Sequence, residues 1–292
     1  MLTYYFLLPF IYLLSILPFS ILYFISNILY FFLYYIIGYR KKVVRENLKN
    51  SFPQKNESEI KIIEKKYYKH LCDLLLESLK AYSISEKELR KRCSIKNPEL
   101  MEKFALKGED ICIAMGHYGN WEWAGQRVSM DTGFKLLVLY RKIKNPYFDN
   151  FMQRLRSRFG AIPVEMRDTI RVILDYKNKK LPTATVFITD QSPPPENAIW
   201  LNFLNQKTAV FKGVEKIARK YNMPVLFGHV RKIKRGYYEI ELSVLSENNA
   251  MLPETELTTL HTKKLENYII ENPEYWIWSH KRWKHKALEL HS

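Results

Sequence analysis

His117 and Glu122 are the two residues whose types and spacing most directly suggest chemistry. A histidine can act as a general base near neutral pH, and a carboxylate within reach can hold its tautomer and stabilise the imidazolium. The pair stands five positions apart in ICIAMGHYGNWEWAGQRV, Ile111 to Val128. On one continuous helix five residues advance about 500°, leaving the side chains roughly 140° apart, so they could not meet there. The stretch instead opens as an apolar strand, ICIAM, bounded by Gly116, and closes as a helix starting at Trp121 with Glu122 in its first turn. Across the small turn of Tyr118, Gly119 and Asn120, a base and its orienting carboxylate could face each other. A satisfied structural histidine is the plain alternative. Spacing alone does not decide, because it recurs at His261 and Glu266, where a charged amphipathic helix makes it read as surface decoration.

Three further groups could carry chemistry. Arg141 follows a strand, and Arg154, Arg156 and Arg158 share one helix. They suit phosphate recognition or an oxyanion, or else a solvated basic face. Alternate helix positions point in different directions, so only one or two of the last three can face one site. Asp190 ends a strand before Gln191 and three prolines, where open α/β sheets hold ligands and where a turn or cap residue is also ordinary. The tail holds Trp276, Trp278, His280, Arg282 and Trp283. It suits a headgroup-level aromatic belt, base stacking on single-stranded nucleic acid, or a buried aromatic lid. No G-x-S-x-G elbow, Walker A loop, G-x-G-x-x-G fingerprint or H-E-x-x-H motif is present, so serine hydrolase, nucleotide-dependent and zincin readings lack support. Cys72, Cys93 and Cys112 have no paired spacing, which reads as a reduced, cytosol-facing chain without a zinc site.

The elements that must position these residues follow from pattern. Residues 1–39 contain no Asp, Glu, Lys, Arg or His. That is enough to span a bilayer, without the basic start and cleavage site of a signal peptide. Pro9 and Pro18 interrupt the run, leaving open a single tilted span or a short helix pair dipping into the membrane face. Arg40, Lys41, Lys42 and Arg45 follow at once, which by the positive-inside rule places the rest in the cytoplasm. Apolar residues at helical spacing predict a long amphipathic helix over 57–83 and a charged second helix near 86–92. From Ile111 onward strands and helices alternate: strands at 135–140 and after Thr183, helices near 146–158, 168–178, 212–221 and 254–272, and a loop between Phe203 and Lys212. The expected fold is α/β, a mixed sheet flanked by helices and preceded by an N-terminal helical membrane anchor. The expected division is anchor 1–39, a helical arm 40–105 that is partly membrane-associated, and an α/β domain 106–292. The net charge of +16 points to an anionic partner: nucleic acid, anionic lipid or an acidic carrier protein.

In order, the chain reads RENLKNSFP, GHYGNWE, YRKIKNPYFD, LRSRFG, TDQSPPP, a helix containing FKG, and PEYWIWSHKRW. This order resembles the late, lauroyl/myristoyl acyltransferases of lipid A biosynthesis, within the wider glycerolipid acyltransferase-like superfamily with its H-x4-D/E motif. The resemblance implies transfer of a fatty acyl chain from acyl carrier protein to a hydroxyl of a lipid A precursor. It implies a place at the cytoplasmic face of the bacterial inner membrane, with no cofactor, no metal and no nucleic-acid partner. It makes His117 the base, Glu122 its partner and Arg156 the arginine completing a catalytic set. Arg141, Arg158, Asp190 and Asn120 become substrate-binding candidates. One rival is an acyltransferase for lysophospholipid or aminolipid acceptors. The other is a non-catalytic, membrane-anchored basic protein binding lipid or nucleic acid, which predicts that the His117 and Glu122 side chains are not adjacent.

Overall fold

The structure is a computed structural model that describes residues 2–249 and 251–285. It begins with three uncharged helical pieces: α1 (Leu2–Ile16), α2 (Phe19–Phe31) and a π-helical continuation, Phe32–Ile37. The break falls at Leu17 and Pro18, as the proline predicts. The run Phe19–Ile37 is long and apolar enough to cross a membrane by length and composition. Gly38 ends it in the left-handed region, and α3 (Lys41–Ser51) carries the basic cluster. Next comes α4 (Glu57–Lys80), started by a capping box of Asn56 and Glu59. Then follow α5 (Glu86–Arg92), β1 (Cys93–Ile95), α6 (Glu99–Leu106), β2 (Ile111–Met115) and α7 (Trp121–Val128). The central part holds β3 (Lys135–Tyr140), α8 (Pro146–Ser157), β4 (Ile162–Glu165), α9 (Thr169–Asn178) and β5 (Thr183–Ile188). The last part holds β6 (Ala198–Phe203), β7 (Gln206–Phe211), α10 (Gly213–Tyr221), β8 (Val225–Lys234), β9 (Tyr237–Ser246) and α11 (Glu256–Glu271).

Seven strands form one mixed sheet in the order β1-β9-β8-β2-β5-β3-β4. All neighbours are parallel except β8 and β9, which pair antiparallel. The expected α/β class with a mixed sheet flanked by helices is what the chain adopts. Alternation along β2 shows how the sheet splits its core. Ile111, Ile113 and Met115 pack with Trp123 and Val128 of α7 and with Phe151 and Leu155 of α8. Cys112 and Ala114 face the other way, toward Val214 and Ile217 of α10, Leu265 and Ile269 of α11, and Trp276 and Trp278.

Two differences from the sequence reading concern local pairing. The segment read as a helical arm contributes β1, whose Cys93 to Ile95 pair with Tyr238 to Ile240, so the sheet reaches back before residue 106. The stretch read as a loop before α10 is the hairpin β6–β7, paired from Ala198↔Phe211 to Phe203↔Gln206. Its two-residue turn, Leu204-Asn205, has both residues at positive φ, the primed geometry tight hairpins need, without the Asn-Gly or Asp-Gly signature that marks it in sequence.

Candidate active site

Adjacent parallel strands decide which carboxylate meets His117. β2 and β5 pair in register, Met115 opposite Ile188, so the residues two positions beyond each strand end, His117 and Asp190, come face to face. His117 Nδ1–H donates to Asp190 Oδ1 at 2.6 Å, and the His117 backbone N–H donates to Oδ2 at 2.8 Å. Trp276 Nε1–H donates to the same Oδ2 at 2.7 Å. An ionised carboxylate only accepts, so in the neutral imidazole the Nδ1 position carries the proton and Nε2 has the lone pair. The Gln191 amide nitrogen lies 3.3 Å from that Nε2. Burial pushes the Asp190 carboxyl up, but the charge of His117 and the hydrogen bonds from His117 and Trp276 outweigh it and hold the group low, at about 2. Trp276→Phe replaces the indole by a smaller ring, which removes one donor to a buried carboxylate and leaves a cavity beside it. It should cost about 1.5–3 kcal/mol in urea unfolding.

The expected His117–Glu122 pair is therefore corrected. Glu122 does lie in the first turn of α7, but its carboxylate is taken by Arg156 of α8. Arg156 Nη2 sits 2.6 Å from Oε1 and Nε sits 3.1 Å from Oε2, a bidentate fork. Burial works against the Arg156 charge, yet Glu122 raises its pKa overall. Nη1 of Arg156 makes no hydrogen bond among the described residues, so one edge of the guanidinium remains to be used. Asp190 is likewise reassigned from substrate contact to the partner of His117.

The other candidates separate by position. Asn120 is fully buried: its Oδ1 caps Trp123 N at 3.0 Å and its Nδ2 donates to Glu77 Oε2 at 2.8 Å. Both ends of its amide are used, so it holds the start of α7 rather than a substrate. Arg158 lies about 200° round the helix from Arg156 and donates to Ala81 O at 2.7 Å, away from the Glu122 fork. Arg154 is exposed. Arg141 is exposed at the end of β3, on the same carboxyl edge of the sheet as His117 and Asp190. His261 and Glu266 are not surface decoration. Both are buried, because α11 packs against the sheet and the β6–β7 hairpin, and Leu204 N donates to Glu266 Oε1 at 2.6 Å. The tail forms the aromatic lid. Trp276 and Trp278 are buried with ring centroids 4.7 Å apart, and Phe203 of the hairpin lies 5.7 Å from Trp276.

Residue Glu77 has no signal of its own in the sequence, where it is one charge among many on an amphipathic helix. It is buried and accepts from Tyr23 Oη, Asn120 Nδ2 and Tyr238 Oη at 2.9, 2.8 and 2.7 Å. Its own carbonyl accepts from Trp123 Nε1 at 2.9 Å. Gly119 is required for a different reason. It sits at φ +62°, and a Cβ there would lie 2.3 Å from Val230 O.

Beside Glu122 and Arg156 runs a narrow, mostly apolar cavity of about 40 Å³, with Met115, Trp121, Val138 and Ile188 among its walls. It shares Met115, Gly125 and Val186 with a second cavity of about 30 Å³ that continues toward Gly228 and Ile240. Together they trace an apolar seam between α7 and the sheet. The much larger cavity of about 520 Å³ lies at the opposite, amino edge of the strands, around Asp110, Pro182 and Pro224, with neither His117 nor Asp190 in its walls. The carboxyl edge is where open α/β sheets bind ligands, and it is where the histidine, the aspartate and the ion pair converge. Among the described residues no cluster of three His, Cys, Asp or Glu is placed to hold a metal ion.

A search of curated proteins finds no match. The family model described as "Bacterial lipid A biosynthesis acyltransferase" matches residues 1–285, which takes in the uncharged helices, the whole sheet and the tryptophan-rich tail. The chain therefore belongs to the bacterial lipid A biosynthesis acyltransferase family and is an acyltransferase.

Proposed function

We propose that this enzyme moves a fatty acyl group from the thioester of an acyl carrier protein to a hydroxyl of a lipid A precursor, at the cytoplasmic face of the inner membrane. The observation that carries the reading is the His117–Asp190 pair at the carboxyl edge of the sheet, with Nε2 of the imidazole left as acceptor. In the proposed step, His117 Nε2 takes the proton of the acceptor hydroxyl while its oxygen attacks the thioester carbonyl carbon. Collapse of the tetrahedral intermediate breaks the carbon–sulfur bond, and the imidazolium returns the proton to the departing thiolate. An ester and a free thiol result, with no covalent acyl-enzyme. Asp190 holds the tautomer and stabilises the imidazolium.

In this reading the Glu122–Arg156 fork fixes the guanidinium so that its unused Nη1 edge can meet the oxyanion or a phosphate of the acceptor. The apolar seam receives the acyl chain, with Met115 among the walls that must adapt, since the seam is narrow as it stands. Arg141, on the same edge, would attract anionic substrate. The net charge of +16 suits an acidic carrier, a phosphorylated acceptor and an anionic leaflet alike. Residues 1–39 would serve as the membrane anchor and the sheet with its helices as the catalytic unit.

The test is mass analysis of products. Purified enzyme is given acyl carrier protein or acyl-coenzyme A as donor, and a lipid A precursor, a lysophospholipid or an aminolipid as acceptor. One added acyl chain on the lipid A precursor, with carrier protein preferred, supports the proposal. Acylation of a different lipid would sink it. Arg156→Lys keeps the charge but loses the planar fork, and should lower kcat/KM at least tenfold in the same assay.

A further inference from the structure

The uncharged run Phe19–Ile37 passes the length and hydropathy test for a membrane span, yet the folded body holds it along its whole length. α2 runs antiparallel to α4: Tyr23 meets Glu77, Ser26 meets Asp73 and Tyr34 packs on Tyr68. At the amino end the α1–α2 link is held by Lys80 Nζ, 2.8 Å from Leu17 O, and by Ser83 Oγ, 2.5 Å from Ser15 O. The Arg92 guanidinium stacks 3.5 Å over Phe19. At the other end Tyr68 Oη donates to Tyr39 O and Arg40 donates to Ser279 O. Opposite the middle of the run stand two charges with solvent access. Arg235 reaches Asn27 Oδ1 at 2.9 Å, and exposed Lys69 lies 5.6 Å from the Tyr30 ring.

A helix that crosses a bilayer has its ends on opposite sides of roughly 30 Å of hydrocarbon. Here both ends touch the same globular body. A crossing would carry Lys80, Arg92 and the start of α7 to the far side. It would also set Lys69 and Arg235 at mid-membrane depth, where charges are strongly disfavoured. α1, at 15 residues, is about 22 Å long and too short to cross on its own. The outward face of α2 and its continuation is nevertheless apolar and exposed: Phe24, Ile28, Phe31, Phe32, Tyr35 and Ile36. At its carboxyl end the face runs into the exposed cations Arg40 and Lys42.

We infer that the N-terminal helices are monotopic: they lie along one leaflet of an anionic bilayer, with their apolar face in the acyl region and both ends on the catalytic domain's side. This rests on the membrane-bound reading above, but its readout is depth rather than turnover, so the two can fail separately. Single cysteines are placed along the outward face as Ser20→Cys, Phe24→Cys, Ile28→Cys, Phe31→Cys and Tyr35→Cys. Each is labelled with a nitroxide, and the full-length protein is reconstituted into phosphatidylethanolamine–phosphatidylglycerol vesicles. Native Cys72, Cys93 and Cys112 are buried, and the unsubstituted protein sets the labelling background. The five labels should report depths within about 5 Å of one another, all in one leaflet. A crossing helix would instead show depth peaking at Ile28 and falling by about 1.5 Å per residue toward Ser20 and Tyr35. That profile, or no immersion at all, overturns the inference.

Discussion

His117→Ala is expected to lower kcat roughly 10²–10⁴-fold, because it removes the base of the proposed step, and to lower stability as well, because the buried Asp190 carboxylate loses one of its donors. Asp190→Asn should fall in the same range, since an amide at that position can hold the imidazole in the wrong tautomer and withdraws the charge that stabilises the imidazolium. Glu122→Gln separates this arrangement from the one the spacing first suggests. Were Glu122 the partner of His117, its amide would cost as much as that of Asp190. With Glu122 bound to Arg156 instead, the loss should be smaller and should track that of Arg156 variants in a double-mutant cycle. Steady-state rates of the four variants decide. Equal losses for Glu122→Gln and Asp190→Asn would reject the pairing. Asp190 also predicts an acid dependence. Its carboxyl, held at about 2 against an ordinary 3.8, contributes about 2 kcal/mol above pH 4, and that contribution disappears as pH falls toward 2. The stability gap between the native chain and Asp190→Asn should therefore close on acidification, as followed by urea midpoints.

The candidate base His117 and the elements around it were legible because they rest on local pattern. ICIAM is a buried strand by its run of apolar residues, and the glycines and the change to helical period after Asn120 mark the turn. The helices read at 57–83, 146–158 and 212–221 follow from pattern and match α4, α8 and α10 to within a few residues. What the chain did not disclose is which carboxylate faces which cation. That depends on β2 lying beside β5 across 73 residues of sequence, a pairing no spacing rule encodes. The same cause hid β1, whose three residues gain their meaning only beside β9. His261 and Glu266 were misplaced because polar residues mark a solvent face only when nothing packs over them. Glu266 is satisfied by a hairpin whose Leu204-Asn205 turn lacks the usual glycine. The ordered motifs from GHYGNWE to PEYWIWSHKRW carried the family, and they did so without saying how the residues meet.

Glu77→Ala should destabilise the fold by about 3–5 kcal/mol in denaturant unfolding, because it strands buried donors that have no other acceptor among the described residues. Tyr23 of α2, Asn120 at the start of α7 and Tyr238 of β9 all donate to this one carboxylate. Three elements far apart in sequence therefore lose their common anchor at once. Burial lifts the Glu77 carboxyl above its ordinary value, against the pull of Lys232 and of the hydrogen-bonding tyrosines. A lifted carboxyl stabilises most below its unfolded pKa and loses that contribution as pH rises through the folded one, so the Glu77→Ala penalty should shrink toward alkaline pH. That slope is opposite in sign to the one expected at Asp190. Glu77→Gln keeps an accepting oxygen but places an amide N–H against at least one of the donors, so it should fall between the native chain and the alanine variant. Activity should drop with stability in Glu77→Ala through Asn120, which caps α7 and so fixes the helix that carries Glu122 to Arg156. If Glu77→Ala unfolds within 1 kcal/mol of the native chain at neutral pH, this hub is not what joins α2 to α7.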